Sequence, residues 1–239
     1  MKFMKTFVAS GLIAAAGVAQ AEVGANLGVA SNYYFRGVSQ TGDAAAISGS
    51  VDYSNDSGFY LGTWMSNVDF GGKEDVEVNF YGGFVGDIGD SGLGYDLGLL
   101  QYWYPGAGGD LQGGELDYTE AIAALSFGPV SASIAYTVDS EYDDDDAPFI
   151  EDDIYYRLSA DLPVDIEGFG LSAFVGYYDF DADGDTGVGD LSYTHWGASF
   201  ARDGGDFGTF SVNYEQADDV TGVNPDDSPN LWLGWSRDF

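Results

Sequence analysis

The chain closes on Leu231-Trp232-Leu233-Gly234-Trp235-Ser236-Arg237-Asp238-Phe239. Read with the two-residue period of a β-strand, Leu231, Leu233, Trp235 and Phe239 share one face. Trp232, Gly234, Ser236 and Asp238 share the other. Arg237 interrupts the apolar face, but its long stem lets the guanidinium reach an interface with water. A strand apolar on one side to its last residue needs both an apolar surrounding and a pairing partner.

The same alternation runs back through the chain. Val23, Ala25, Leu27, Val29, Tyr33 and Phe35 share a face, as do Val76, Val78, Phe80 and Phe84 against Glu77, Asn79 and Tyr81. Tyr95, Leu97 and Leu99 oppose Asp96 and Gly98. Tyr156, Leu158, Ala160 and Leu162 oppose Tyr155, Arg157, Ser159 and Asp161. Phe210 and Val212 oppose Ser211 and Asn213. Phe59 to Ser66 and Tyr118 to Phe127 carry apolar residues on both faces. The pattern predicts about 12 strands, at 23–35, 45–54, 58–67, 75–85, 93–104, 117–127, 130–138, 153–162, 168–178, 191–201, 207–215 and 230–239. Connections alternate between long and short. All six prolines fall in the predicted connections, where no ladder hydrogen bond is lost.

Composition bounds the function. Seven Lys+Arg stand against 40 Asp+Glu, a formal net charge of −33, which excludes nucleic acid as a partner. Hydrophobic residues make up 45% and aromatics 16%, too many for a disordered polyelectrolyte. There is no cysteine for a disulfide or thiolate site, and one histidine excludes a His-His metal motif. Lys2 and Lys5, the apolar run Phe7 to Val18 and Ala19-Gln20-Ala21 read as a signal peptide over 1–21, with Glu22 the mature N-terminus. Residues 22–239 then form one domain, with no later apolar run long enough for a transmembrane helix.

An antiparallel meander with alternating long and short connections is the pattern of a transmembrane β-barrel of the bacterial outer membrane. Closing the sheet pairs every backbone donor inside lipid. Leu231, Leu233, Trp235 and the terminal Phe239 resemble the signal read by the outer-membrane assembly machinery. The expected surroundings are outer-membrane lipid and lipopolysaccharide, reached by export through the periplasm. Tyr33, Phe35, Trp103, Tyr104, Trp196, Trp235 and Phe239 are expected in two interfacial girdles. A secreted soluble β-sandwich that binds saccharides is the alternative architecture.

Ser31-Asn32-Tyr33-Tyr34-Phe35-Arg36-Gly37-Val38-Ser39-Gln40-Thr41 resembles the opening motif of the proteobacterial TorF family. Gly58 to Val68, Val76 to Gly83 and Tyr118-Thr119-Glu120 resemble further blocks of that family. The resemblance implies an outer-membrane barrel with a channel function. It implies no substrate and no catalytic residues.

With apolar residues turned to lipid, Asp52, Glu77, Asp96, Glu120, Arg157, Asp161 and His195 point into the lumen. They form either an acidic, cation-favouring surface or an internal network that fills the barrel, with Arg157 pairing two carboxylates. Barrel phospholipases and proteases need a histidine beside a serine or carboxylate. His195 is the one candidate, Ser199 lies four residues along the strand, and no catalysis is expected. Asp143 to Asp146 make one long connection intensely acidic. Asp179, Asp181, Asp183, Asp185 and Asp190, with Gly184, have the spacing of a calcium loop, without flanking helices and with Asp at the last position. That segment reads either as a Ca2+ site or as a solvated hairpin loop; no other cofactor is expected. The function expected is a porin passing ions or small solutes, cation-preferring. The alternatives are a closed structural or adhesive barrel with acidic divalent-ion-binding loops, and the sandwich named above. No long in-folding constriction loop is expected from the pattern.

Overall fold

Each strand side chain points opposite to its neighbour, so pairing the strands sorts the alternating sequence into an outer and an inner surface. The computed structural model describes residues 22–71, 75–106, 116–142, 149–183, 190–218 and 228–239. The leader at 1–21 and Asp143 to Asp146 lie outside the described residues. The strands are β1 (Glu22–Ala30), β2 (Tyr34–Phe35), β3 (Val38–Ser39), β4 (Ala46–Ser54), β5 (Phe59–Asn67), β6 (Val76–Asp87) and β7 (Leu93–Trp103). There follow β8 (Tyr118–Phe127), β9 (Val130–Ser140), β10 (Ile154–Ile166), β11 (Phe169–Asp179), β12 (Tyr193–Asp203), β13 (Thr209–Ala217) and β14 (Asn230–Asp238).

Twelve of these form a closed antiparallel barrel, each paired with its neighbour in sequence, and β1 closes the ring between β4 and β14. At the seam Asn26 pairs with Asp238 and Ala30 with Gly234. Strands of nine to 13 residues match the length that a tilted strand needs to cross a bilayer. The outer surface carries the apolar residues of the alternation, among them Leu27, Ile47, Leu61, Phe80, Leu97, Leu158, Val212 and Leu233. Leu231 is 74% exposed. An unpartnered apolar belt around a closed sheet is what a hydrocarbon environment requires. The two ambiguous segments resolve the same way, with Leu61 and Met65 outside and Tyr60 and Ser66 buried inside.

Three expectations change. The first predicted strand, 23–35, leaves the barrel wall at Ala30, and residues 31–44 fold inward around the small hairpin β2–β3, which also overturns the expectation of no in-folding loop. Tyr33 is therefore buried and Phe35 packs against the inner cluster, as does the buried Tyr104; none of the three belongs to an interfacial girdle. Inside the upper barrel the surroundings are themselves aromatic, so an apolar alternation continues without facing lipid. Thirdly, β10 runs on to Ile166, and Pro163 lies within it, between Leu162 and Asp165 where the register shifts. A bulge releases the proline from donating to the ladder.

The inner surface tolerates little added bulk where facing backbones approach. A Cβ on Gly83 would lie 2.3 Å from the Leu97 carbonyl oxygen and 2.8 Å from the Gly98 Cα, whereas one on Gly24 meets nothing within 4 Å. Gly83→Ala is expected to destabilise the barrel by about 1–3 kcal/mol through overpacking. Gly24→Ala is expected to change stability by less than about 0.5 kcal/mol. Urea unfolding in detergent compares the two.

Candidate functional site

The in-folded segment is held by its own short polar side chains. Asn32 accepts from the Ser39 and Thr41 hydroxyls at 2.8 and 2.9 Å and donates to Asp43 at 2.8 Å. Gln40 N donates to the Tyr33 carbonyl at 2.7 Å. At the tip, Arg36 (φ 49°) and Gly37 (φ 92°) both take positive φ. That is the requirement of a two-residue I′ hairpin turn, at whose first position Asn or Asp is normally preferred. Gly37 is needed twice over, because a Cβ there would sit 2.8 Å from Ala217 Cβ and 2.9 Å from His195 Cβ. The Tyr193 hydroxyl donates to the Arg36 carbonyl at 2.9 Å, tying the tip to β12.

Arg36 extends across the lumen. Its guanidinium lies 2.7 Å from Glu120 Oε2 on β8, and the two residues are 5% and 1% exposed. Rings of Phe35, Tyr155 and Tyr178 lie 4.7, 4.0 and 4.7 Å from its central carbon. A buried charge is tolerated only when paired, and cation–π contacts supply further compensation. Tyr102 also donates to Glu120, at 3.1 Å. Around this pair, Tyr102, Tyr104 and Tyr118 form one aromatic cluster, and Tyr155, Tyr178, Phe180 and Tyr193 form another. The end of the barrel with the long connections is thus packed around the hairpin.

The residues expected in the lumen do face inward, but they divide into two tiers. Glu77, Glu120 and His195 lie near the long-connection ends of their strands and are buried. Asp52, Asp96 and Asp161 lie toward the short connections, with Arg157 between the tiers. Tyrosine hydroxyls donate to the carboxylates of both tiers: Tyr33 to Glu77 at 3.3 Å, Tyr60 to Asp96 at 2.7 Å, and Tyr81 to Asp52. Among the described residues Arg157 does not bridge two carboxylates. Its guanidinium stacks 3.9 Å over the Phe174 ring, and the pairing role belongs to Arg36. Arg36 and Glu215 were not singled out by the pattern, although Glu215 shares the inward parity of Asn213.

His195 is wholly buried between Glu215, 3.0 Å from Nδ1, and the Tyr155 hydroxyl, 2.8 Å from Nε2. Gly176 and Gly37 both press on this side chain, since a Cβ on Gly176 would lie 2.4 Å from its Nε2 and one on Gly37 2.9 Å from its Cβ. Ser199 is not bonded to it. The histidine ties three strands together beneath the hairpin, with both nitrogens engaged.

Of the candidate calcium loop, Asp185 lies outside the described residues. Asp183 accepts from the Leu191 backbone N–H, which holds its carboxyl below the usual range, while Asp181 and Asp190 are exposed. Asp153, from the preceding acidic connection, accepts from the backbone N–H groups of Phe149, Ile150 and Asp181 at 2.7–3.1 Å. Burial pushes its carboxyl up to about 6 against those donors. Among the described residues no cluster of three or more His, Cys, Asp or Glu side chains could hold a metal. Leu231 and Leu233 on β14 are exposed on the outer face, Phe239 just after it is exposed too, and Arg237 lies 5.0 Å over the Phe239 ring.

The family model described as "Bacterial protein of unknown function (Gcw_chp)" matches residues 14–225. The chain belongs to the Gcw_chp family. That description names neither an activity nor TorF. Among solved structures the Gcw_chp chain is similar to the KdgM porin, with a TM-score of 0.56 and 7% identity over 90% of this chain and 98% of that one. A KdgM porin in complex with disordered oligogalacturonate gives 0.54 and 6% over 91% and 97%. The NanC porin gives 0.50 and 11% over 90% and 98%. The comparison with curated proteins returned no match. At these identities the likeness is one of fold: the closed 12-stranded antiparallel barrel of the Gcw_chp chain is similar to the fold of these porins.

The buried pair generates a stability prediction. Glu120→Ala leaves a buried guanidinium unpaired and is expected to cost about 3–5 kcal/mol. Arg36→Ala combined with Glu120→Ala is expected to cost less than the sum of the two single losses, because each removes the other's partner. Urea unfolding of the four proteins in detergent measures the coupling, and strict additivity would contradict it.

Proposed function

We propose that this Gcw_chp protein is a TorF-like porin of the outer membrane, exported by the leader at 1–21, that passes ions and small solutes with a preference for cations. The observation that carries the reading is the inner surface of the lower barrel. Asp52, Asp96 and Asp161 line it, whereas Arg157, paired across to Gly176, stands nearer the long-connection end of β10. Charges in a narrow, partly dehydrated passage act over short distances with little screening. The same surface disfavours a polyanion such as the oligogalacturonate named with the KdgM porin. The 40 acidic residues of the chain extend that negative field beyond the lumen. Leu231, Leu233, Trp235 and Phe239 are proposed as the segment read by the assembly machinery.

The packing of Tyr33, Arg36 and their neighbours favours a second feature, a passage shut at its long-connection end at rest. This keeps the closed structural barrel as the competing reading, and conductance separates the two.

Reconstitution in planar bilayers under a KCl gradient tests the proposal. The reversal potential is expected to show K+ preferred over Cl−, with the preference shrinking as salt rises and the Debye length falls below about 10 Å. Asp52→Asn with Asp96→Asn is expected to reduce the preference more than neutralising Asp143 to Asp146. Anion preference, or no response to the lumen substitutions, would sink the cation reading. Absence of conductance in every variant favours the closed barrel.

Orientation is tested on intact cells. Cysteines at Asp144, Asp183 and Asp226 are expected to react with a membrane-impermeant label, and those at Asn55 and Gly204 are not. Labelling of both groups would reject the assignment of the long connections to the outside.

A further inference from the structure

Three features of Arg36 do not fit a purely structural role. It occupies the first position of an I′ turn, where its positive φ of 49° is a strained choice that Asn would make at lower cost. Its Nη1 is buried without a hydrogen-bond partner among the described residues. Its side chain fills an enclosure that the rest of the barrel builds: the Glu120 carboxylate at 2.7 Å and the rings of Tyr155 and Tyr178 at 4.0 and 4.7 Å. Glu120, Tyr155 and Tyr178 belong to barrel strands, whereas Arg36 is carried by the hairpin. The groups that build the enclosure are therefore carried by the wall and not by the hairpin.

A buried carboxylate between aromatic faces is a receptor for an organic cation, because the rings attract the cation's face while the carboxylate takes its N–H groups. We propose that the strand-borne site of Glu120, Tyr155 and Tyr178 binds solutes carrying a guanidinium or similar planar organic cation, and that Arg36 is the internal competitor that occupies it at rest. This deepens the channel reading by naming a substrate class and rests on it for transport, but not for binding. A solute cation entering the site displaces Arg36. The hairpin then gives up its strained turn residue and its unpaired Nη1, and the passage at the long-connection end loses its crossbar. Small inorganic cations gain less there, since they do not stack on the rings. Competition between a tethered and a free cation is a shift of populations, so a solute displaces the hairpin only by its preference for the unseated state.

Arg36→Asn isolates the binding step, because Asn is favoured in the turn and removes the competitor. Thermal unfolding of the full-length protein in detergent is followed with methylguanidinium chloride at millimolar concentration, against NaCl of equal ionic strength. Arg36→Asn is expected to be stabilised in a saturable manner, with an apparent affinity at least tenfold tighter than for the natural chain. Adding Glu120→Gln, or Tyr155→Leu in case the first does not fold, is expected to weaken that response at least tenfold. No difference between methylguanidinium and sodium in Arg36→Asn, or an equal response in both site variants, would overturn the proposal. The same proteins in bilayers separate it from the channel reading. Saturable stabilisation without conductance upholds the site and rejects transport. Conductance of Arg36→Asn that methylguanidinium neither blocks nor competes for, with no stabilisation, upholds the channel and rejects the site.

Discussion

Moving a guanidinium from water into the interior of a barrel costs several kcal/mol unless its charge is met. Arg36 is met by Glu120 at 2.7 Å and by three aromatic rings. The arrangement explains much of what surrounds it. Residues 31–44 must leave the wall at Ala30 to bring the arginine inside. Gly37 must lack a side chain to pass His195 and Ala217. Tyr193 must reach the Arg36 carbonyl, and the tyrosines of β7, β8, β10 and β11 must supply ring faces and hydroxyls rather than bulkier aliphatic packing. The ion pair links the hairpin to β8, while His195 and Glu215 link β12 to β13 just beneath it.

The barrel supplies the other half of the arrangement. Lipid permits only apolar residues outside and requires every backbone donor to be paired, so the sheet closes and polar residues collect within. Closing 12 strands leaves an interior narrow enough that a single hairpin with its aromatic neighbours packs one end. The other end keeps small polar residues, among them Ser159, Ser172 and Ser199, around Asp161. On the proposed function the two ends would divide one pathway, the acidic surface toward the short connections selecting and the packing around Arg36 toward the long ones occluding.

Most of the wall was legible because each face of a membrane strand has a different solvent. Leu97 and Leu99 against Asp96, or Leu158 against Arg157, follow the period of two with the lipid side apolar. The terminal run Leu231 to Phe239 is readable for the same reason. The period fails where both sides are apolar. Tyr33 and Phe35 continue the alternation of β1 although they face an aromatic interior and not lipid. The signals that distinguish the hairpin are of another kind: Arg36-Gly37 between two short alternating pairs, and Asn32, Ser39 and Thr41 spaced to bond one another. Pro163 misled in the opposite sense, since a bulge accommodates it within β10. Pairing among lumen charges was not legible at all. Arg157 and Arg36 are chemically alike, and only the path of the hairpin assigns the carboxylate to one and a phenylalanine ring to the other.

The seat of the hairpin in the lumen is the claim on which the functional account turns, and the lone histidine makes it directly observable. In detergent micelles, proton NMR of the natural chain should show a cross-relaxation peak between the Gly37 α-protons and the His195 side chain. The Arg36 Nε proton should be slow to exchange with water. A Gly37 without contact to His195, together with a freely exchanging Arg36, would place the hairpin outside the barrel and contradict the account.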